Sequence, residues 1–255
     1  MVYFLVMVMT CTIFAAHGMA SAESDGTAQS DMVEAVKDVL EEHPKLIYDA
    51  LVRYRQQVDS RIEQEASKAV SEHYQQVFME TDNAFVEGAR SPGIQIVEFF
   101  DFNCGHCRTM VPVMAEVLKN NPDVQLISRP LALFGAGSQY AAEVAFAAYS
   151  LGENEYEKVT VAFSREKKIL DKAKVNSILK DLGLGERIHK VLKDSTKPSE
   201  MVKENQKLSE DLKVMATPMY YLAKPGRADS ILVSPGFKPE DAFNELINGV
   251  RNSDN

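Results

Sequence analysis

A run of β-branched and aromatic residues lies near the middle of the chain and ends in two cysteines. Residues 94–107 read Ile-Gln-Ile-Val-Glu-Phe-Phe-Asp-Phe-Asn-Cys-Gly-His-Cys. The first half, through residue 101, is typical of a buried strand. Apolar residues then recur at three- and four-residue spacing to Asn120, before Asn121-Pro122 stops the pattern. We therefore predict a strand, a thiol pair and a helix in direct succession.

The rest of the apolar pattern predicts a sheet interrupted by helices. Alternating or continuous apolar runs predict further strands at 83–87, 124–131, 219–223 and 231–233. Helical periodicity predicts helices at 137–151, 154–163, 171–182, 186–193, 198–212 and 240–251. The strand at 124–131 should run parallel to the one before the cysteines, as in a βαβ unit. Five of these helices, at about 133–213, lie between the third and fourth strands.

The segment before the first strand has a helical pattern with one apolar face. Asp31 with Glu34 forms a capping box for a short helix, and Pro44 suits the first position of a long second helix. The apolar stripe of the second helix consists of Ile47, Leu51, Tyr54, Val58 and Ile62. Such a stripe either folds back on its own domain or pairs with another chain. Because the segment precedes the first strand, we predict a homodimer through residues 31–80.

The net charge and the N-terminal residues indicate which partners and which cellular location to expect. The net charge is −9, and no basic stripe is present, so nucleic acid is not an expected partner. Residues 1–22 contain no charged side chain and end in small residues that suit cleavage after Ala20 or Ala22. They predict an export signal, and hence a periplasmic mature protein. Residues 23–80 are then a helical stalk, and 81–255 the main domain.

Cysteine usage points to redox chemistry. Cys11 should be removed when the signal peptide is cleaved. A lipid-modified cysteine at this position is the alternative, but the residues before Cys11 do not favour it. Cys104 and Cys107 then remain, too few for a disulfide scaffold or a four-ligand zinc site. The start of a helix carries unpaired N–H groups that favour a thiolate. Cys104 is therefore the candidate nucleophile, and Cys107 the thiol that closes a disulfide with it.

The run Glu-Phe-Phe-Asp-Phe-Asn-Cys-Gly-His-Cys resembles the thioredoxin superfamily, and within it the DsbA-like periplasmic disulfide oxidoreductases. Glu98 falls where that family keeps a buried acid beneath the second cysteine. Pro112 falls where its active-site helix is kinked, and Thr217-Pro218 fits its cis-proline pair. The resemblance covers the chain from about residue 83 onward. It implies an α/β protein with a thioredoxin fold, an inserted helical subdomain and an N-terminal helical stalk.

Four further site residues follow from this resemblance together with local chemistry. His106, between the thiols, could stabilise the Cys104 thiolate, or be an ordinary exposed helix residue. Glu98 has apolar neighbours, which would raise its pKa and let it relay the proton of Cys107; the alternative is a solvent-facing glutamate. A cis bond before Pro218 would turn the backbone outward, so that Thr217 can pair with an extended substrate chain.

The sequence leaves two classes of function open. The first is a protein disulfide oxidoreductase or isomerase without a cofactor or metal, which exchanges disulfides with exported proteins. The second is a dimeric export chaperone or assembly factor in which the thiol pair is secondary. An enzyme of the first class needs a membrane redox partner, either a DsbB-like oxidase or a DsbD-like reductase. The direction of exchange depends on that partner, and the sequence leaves it open.

Overall fold

The computed structural model describes residues 24–229 and 231–253, with side chains from residue 29 onward. The predicted export signal, residues 1–22, lies outside the described residues, and so does Cys11. The chain divides into two compact units between Val58 and Asp59. Among the described helices, none combines the length and the apolar character that crossing a bilayer requires.

The first unit is helical. Helix α1 spans Ser24–Glu42 and helix α2 spans Pro44–Glu72, so that the first half of α2 belongs to this unit. Helix α1 begins seven residues before the capping box that the sequence indicates at Asp31. Large apolar side chains of both helices are exposed: Met32, Val33, Val36, Val39, Leu40, Leu46, Ile47, Tyr48, Leu51 and Tyr54.

The second unit contains a sheet and eight further elements around it. Its strands are β1 (Phe85–Gly88), β2 (Ile94–Phe100), β3 (Val124–Pro130), β4 (Met219–Ala223) and β5 (Leu232–Pro235). Its helices are α3 (Gly105–Asn120), α4 (Ala136–Leu151), α5 (Glu153–Arg165), α6 (Lys172–Asp181), α7 (Gly185–Asp194), α8 (Lys197–Asp211) and α9 (Glu240–Arg251). A π-helical turn, Gln75–Met79, precedes β1. These bounds agree with the predicted elements to within a few residues.

Strand β2 lies at the centre of the sheet, whose order is β1-β3-β2-β4-β5. It pairs in parallel with β3, as predicted, and antiparallel with β4. All seven of its residues are buried, because both faces of the sheet are covered. Ile94 and Ile96 pack with α3 and α9 on one face, whereas Val97 and Phe99 pack on the other. The strand therefore holds the start of α3 in a rigid frame.

The second half of α2 packs against the sheet. Val70 of α2 is buried in the same cluster as Val97 and Phe99, together with Tyr74, Val77 and Phe78 of the segment that follows α2. The sequence predicts a stalk that reaches residue 80, whereas the structure divides the chain after Val58. The physical reason is that burial of these four side chains joins the end of α2 to the sheet. A helical period does not reveal which neighbour covers its apolar face.

A buried arginine fixes the chain after α2. Arg129 on β3 has no exposed surface, and burial lowers its pKa to about 10, so it remains a cation at neutral pH. Its Nη2 donates to the carbonyl oxygens of Gln76, Val77 and Glu80, at 2.8, 3.0 and 2.6 Å. Its Nη1 donates to the side-chain oxygen of Asn83. The cation thus satisfies carbonyl groups at the end of the π-helical turn.

Helices α4 to α8 lie between β3 and β4 in the chain and form a second core. Helix α4 supplies small residues, among them Ala141, Ala145 and Ala148, against which α5 places Tyr156 and Phe163. The small side chains let neighbouring helices approach closely. The chain is therefore an α/β protein with a thioredoxin fold and an inserted helical subdomain, which confirms the predicted fold class.

Candidate active site

Cys104 lies at the N-cap of α3, with extended backbone angles (φ −75°, ψ 119°). Its side chain accepts a hydrogen bond from the backbone N–H of Cys107, at 3.4 Å. Its own N–H donates to the carbonyl of Asp101 at 3.0 Å, which closes the turn between β2 and α3. Both thiols are free in this structure and nearly buried. The sulfur of Cys104 therefore stands where the first N–H groups of a helix converge.

The two thiols have pKa values shifted in opposite directions. Hydrogen bonding from the Cys107 side chain is the main cause that lowers the pKa of Cys104 to about 5, helped by Thr217 and by backbone N–H groups of α3. Burial is the main cause that raises the pKa of Cys107, and the hydrogen bond to Cys104 adds to it. At neutral pH the pair therefore holds one thiolate, at Cys104, and one proton, at Cys107.

The loop before β4 faces the first thiol. The Thr217–Pro218 peptide bond is cis, as the family resemblance implies. The Sγ of Cys104 donates to the carbonyl oxygen of Thr217 at 3.3 Å when the thiol is protonated. The carbonyl of Pro218 accepts from the N–H of Gly236 at 2.8 Å, which ties this loop to the edge strand β5. Thr217 and Pro218 thus lie beside Cys104, although 113 residues separate Thr217 from it along the chain.

Glu98 lies on β2 and is only 8% exposed. Its Oε1 accepts from the hydroxyl of Tyr220 at 2.8 Å, and its Oε2 accepts from the hydroxyl of Ser128 at 3.3 Å. Burial raises the pKa of Glu98 to about 7, although both hydrogen bonds act to lower it. A carboxyl group with this pKa can both take and give a proton near neutral pH.

A cavity of about 160 Å³ connects Glu98 with Cys107. Both residues line it, together with Glu87 from β1 and Glu157 from α5. A space of this size holds a few water molecules, since each occupies about 30 Å³ in the liquid. Apolar side chains form most of the remaining wall: Phe100, Phe102, Val111, Met114, Leu118, Leu126 and Val161. Water in this cavity can carry a proton between the thiol and the carboxyl group.

His106 lies in the first turn of α3 and is exposed. The structure therefore brings together five of the six predicted site residues, namely Cys104, Cys107, Glu98, Thr217 and Pro218. The ring of His106 stays at the surface next to them, while its backbone N–H contributes to the low pKa of Cys104. The described residues contain no cluster of side chains that could hold a metal ion.

Several residues of the site were not identified from the sequence. Asp101 is fully buried, and its carboxylate accepts from the N–H groups of Asn103 at 2.7 Å and Leu133 at 2.7 Å. Arg108 donates to the carbonyls of Phe102, Glu166 and Lys168, and so fixes α3 to the inserted subdomain. Asp101 could have been identified from the sequence, because it is an acidic residue directly after the apolar run of β2. The roles of Arg108, Tyr220 and Glu87 depend on tertiary contacts.

Comparison with known proteins agrees with this geometry. The family model described as a DSBA-like thioredoxin domain matches residues 95–248. The solved structure of BcfH from Salmonella enterica Typhimurium is similar, with a TM-score of 0.67 and 19% identity over 89% of this chain and 97% of that one. None of the curated proteins matches the sequence.

Two further solved structures share the fold. The thiol-disulfide exchange protein alpha-DsbA2 from Wolbachia pipientis has a TM-score of 0.63 and 22% identity, over 72% of this chain and 95% of that one. ScsC from Proteus mirabilis, in a transitional conformation, has a TM-score of 0.61 and 21% identity, over 88% of this chain and 98% of that one. At these identities the similarity establishes the fold.

Proposed function

The chain belongs to the DSBA-like thioredoxin family and is a thiol:disulfide oxidoreductase; from this premise we propose that it forms and/or isomerises disulfides in exported proteins of the periplasm. The observation that carries the proposal is the position of Cys104 at the N-cap of α3 beside the buried Cys107, which favours a thiolate at Cys104 and a proton at Cys107. A thiolate attacks disulfides, whereas a protonated thiol beside it does not react until the mixed disulfide is resolved in the second step.

In the first step the Cys104 thiolate attacks a sulfur of a client disulfide. The client S–S bond breaks, an S–S bond forms between Cys104 and the client, and the second client sulfur leaves as a thiolate. In isomerisation that thiolate attacks another disulfide of the client. A client thiolate finally attacks the mixed disulfide and releases Cys104, so that the enzyme and the client are neither oxidised nor reduced overall.

In the second possible step Cys107 resolves the mixed disulfide. Glu98 takes the proton of the Cys107 thiol through the cavity, and the resulting thiolate attacks the sulfur of Cys104. The client leaves as a thiolate and has gained two electrons, while the Cys104–Cys107 disulfide has formed. In the reverse sequence a client thiolate attacks Cys104 of the disulfide, and Glu98 returns a proton to Cys107 as that sulfur leaves. A second client thiolate then displaces Cys104, which leaves as a thiolate, and the client disulfide has formed. The pKa of about 7 at Glu98 suits both directions.

The remaining site residues are proposed to act on the client and on the thiolate. Thr217 and Pro218 lie next to Cys104, where an extended client segment can pair with the backbone of Thr217. His106 stands exposed at the start of α3 and, by donating a hydrogen bond, would further stabilise the thiolate. A more stable thiolate makes the disulfide form a stronger oxidant.

The direction of exchange is set by the membrane redox partner that acts on the Cys104–Cys107 pair. A DsbB-like oxidase would keep the pair as a disulfide, and a DsbD-like reductase would keep it as thiols. An isomerase needs the reduced form, because its first step uses the Cys104 thiolate. The residues before Ser24 support export as a signal peptide of residues 1–22.

We expect the pair to be largely reduced in the cell envelope, as isomerisation requires. The measurement is acid quenching of whole cells, alkylation with a maleimide that adds mass, and separation of the modified forms. A Cys104→Ser/Cys107→Ser variant marks the position of the unreacted chain. A pair found entirely as a disulfide would contradict the isomerase direction and favour an oxidase.

A homodimer through the helical extension is proposed to favour isomerisation. Positions Val33, Leu40, Ile47 and Tyr54 are spaced by seven residues across α1 and α2, and all four are exposed. This repeat extends the apolar stripe towards the N-terminus and is the pattern by which helices pair with a second copy. Two catalytic units held by such a contact would admit misfolded clients and hinder a membrane oxidase from reaching the thiols.

Ile47→Lys/Tyr54→Lys should convert the dimer to a monomer. Each buried side chain of this size contributes about 1.5–3 kcal/mol, so losing two weakens the dimer at least about a hundredfold. Gln56→Lys/Ser60→Lys adds the same charges on the opposite side of α2 and should leave the dimer intact. Light scattering gives the mass, and refolding of a scrambled disulfide protein gives the isomerase activity, which should fall only for the first variant.

The same contact can be removed by deleting residues 23–58, since the second compact unit begins at Asp59. The shortened protein should be a monomer that oxidises clients better and isomerises them worse. A full-length protein that is already a monomer at micromolar concentration would contradict the proposal. The alternative function, a dimeric export chaperone in which the thiols are secondary, predicts instead that client binding persists without them.

A further inference from the structure

Glu87 contributes a second carboxyl group to the cavity that Cys107 and Glu98 line. The sequence pattern does not single this residue out. Glu87 lies on the edge strand β1, where it pairs in register with Leu126 of β3. Its side chain lines the cavity, and part of the residue reaches solvent. Glu98 lies at the buried end of the same space. One cavity therefore contains two acids and the thiol that must lose a proton.

The charges around this cavity all have the same sign. Besides Glu87 and Glu98, the ionisable side chains of its wall are Cys107 from α3 and Tyr156 and Glu157 from α5. Neither lysine nor arginine lines it in the part of the chain that the structure describes. The hydroxyl groups of Tyr220 and Ser128 are the hydrogen-bond donors to Glu98, and both are neutral. Among the described residues that line the cavity, no cation therefore offsets a negative charge at Glu98.

The two acids differ in their exposure to solvent. Glu87 reaches solvent, so water stabilises its charged form, whereas Glu98 is nearly enclosed. Partial burial raises the pKa of Glu87, and the neighbouring Glu157 and Glu153 add to this effect. A negative charge at Glu87 opposes the ionisation of Glu98 across the shared cavity.

Resting on the proposed function of Glu98 as the proton acceptor for Cys107, we propose that Glu87 is a positioning residue that sets the pH at which Glu98 performs this transfer. Glu87 does not touch the reacting sulfurs. It acts through its charge on Glu98 across the shared cavity. The proton passes from the Cys107 thiol to the Glu98 carboxylate, and Glu87 holds back the ionisation of Glu98 until the pH is near neutral.

The reaction of the full-length reduced protein with 5,5′-dithiobis(2-nitrobenzoate) separates the two thiol steps. Cys104 attacks the reagent and releases a first coloured thiolate, and Cys107 then attacks the mixed disulfide and releases a second. The rate of the second release should rise with pH through the ionisation of Glu98. Stopped-flow measurement between about pH 5 and pH 9 gives the midpoint of this rise.

Glu87→Gln should move that midpoint to lower pH by about half a unit, because one negative charge fewer then opposes the ionisation of Glu98. Glu87→Lys replaces the charge by one of opposite sign and should move it further in the same direction. Glu245→Gln removes an equal charge from the exposed side of α9, which does not line the cavity, and should leave the midpoint unchanged. The first release should keep its own pH dependence in all three variants.

Glu98→Gln separates a failure of this inference from a failure of the proposed function. That variant should lose the pH-dependent rise of the second release altogether. If it does, and neither Glu87 variant moves the midpoint more than Glu245→Gln does, the positioning role of Glu87 is overturned while that of Glu98 stands. If the rise persists in Glu98→Gln, the proton acceptor itself has been misassigned, and the role of Glu87 falls with it.

Discussion

Cys104→Ser should lower the rate of disulfide exchange at least about a thousandfold, to the level of the uncatalysed reaction. The serine hydroxyl keeps the N-cap position but does not ionise near neutral pH, and it forms no disulfide. Cys107 cannot substitute for the missing thiolate, because burial raises its pKa. Reactivation of a scrambled client protein and oxidation of a reduced peptide are the two measurements, made with the full-length protein.

Cys107→Ser is the matched control for this result. It keeps Cys104 with its helix N-terminus and should still attack client disulfides, but the mixed disulfides should persist because the resolving thiol is absent. Non-reducing gels of cell envelopes would then show clients bound to Cys107→Ser and none bound to Cys104→Ser. Full client protection by Cys104→Ser in an aggregation assay, with unchanged growth of the cells, would favour the chaperone function.

Cys104 should react with iodoacetamide at about pH 6 at least about a hundredfold faster than Cys107. With a pKa of about 5, roughly nine-tenths of Cys104 is thiolate at that pH, compared with a few thousandths for an ordinary thiol of pKa about 8.5. A thiolate of low pKa is intrinsically less nucleophilic, and this offsets part of the rate gained from the larger thiolate fraction. The raised pKa and the burial of Cys107 increase the difference again.

Mass spectrometry of the alkylated peptides measures this selectivity, and the pH dependence of the rate gives the pKa directly. The sign is fixed by the direction of the shift: the rate should fall as the pH drops through about 5, because Cys104 becomes protonated. A protein unfolded in denaturant serves as the control, since both thiols should then react alike at a higher pH. Faster modification of Cys107 in the native protein would reverse the proposed roles.

The architecture of the catalytic unit could be predicted from the sequence because its elements have strong local signals. Strand β2 is rich in β-branched and aromatic residues, and α3 begins at the thiol pair. The packing of the end of α2 could not be predicted, because its periodicity indicates an apolar face but not the element that covers that face. Val70 and Tyr74 pack against the sheet, and this contact moved the division of the chain to Val58.

The thiol pair was predictable for the same reason, whereas the surroundings of Glu98 were not. Glu98 meets Ser128 and Tyr220, which are 30 and 122 residues away in the sequence. These contacts follow from strand register: Glu98 pairs with Ser128 on β3 and with Tyr220 on β4. Glu87 depends in addition on a cavity closed by α5 of the insertion. No local pattern contains that information.

The buried guanidinium of Arg129 restricts how this protein can be recombined with others. A gene fusion or natural domain exchange with its junction at residue 80 would remove the carbonyl groups of Gln76, Val77 and Glu80 that accept from it. Breaking a buried charge interaction of this kind costs about 3–5 kcal/mol, much of the stability of a typical domain. A catalytic unit transferred to another protein must therefore include the second half of α2. An N-terminal extension can be exchanged only up to about Val58.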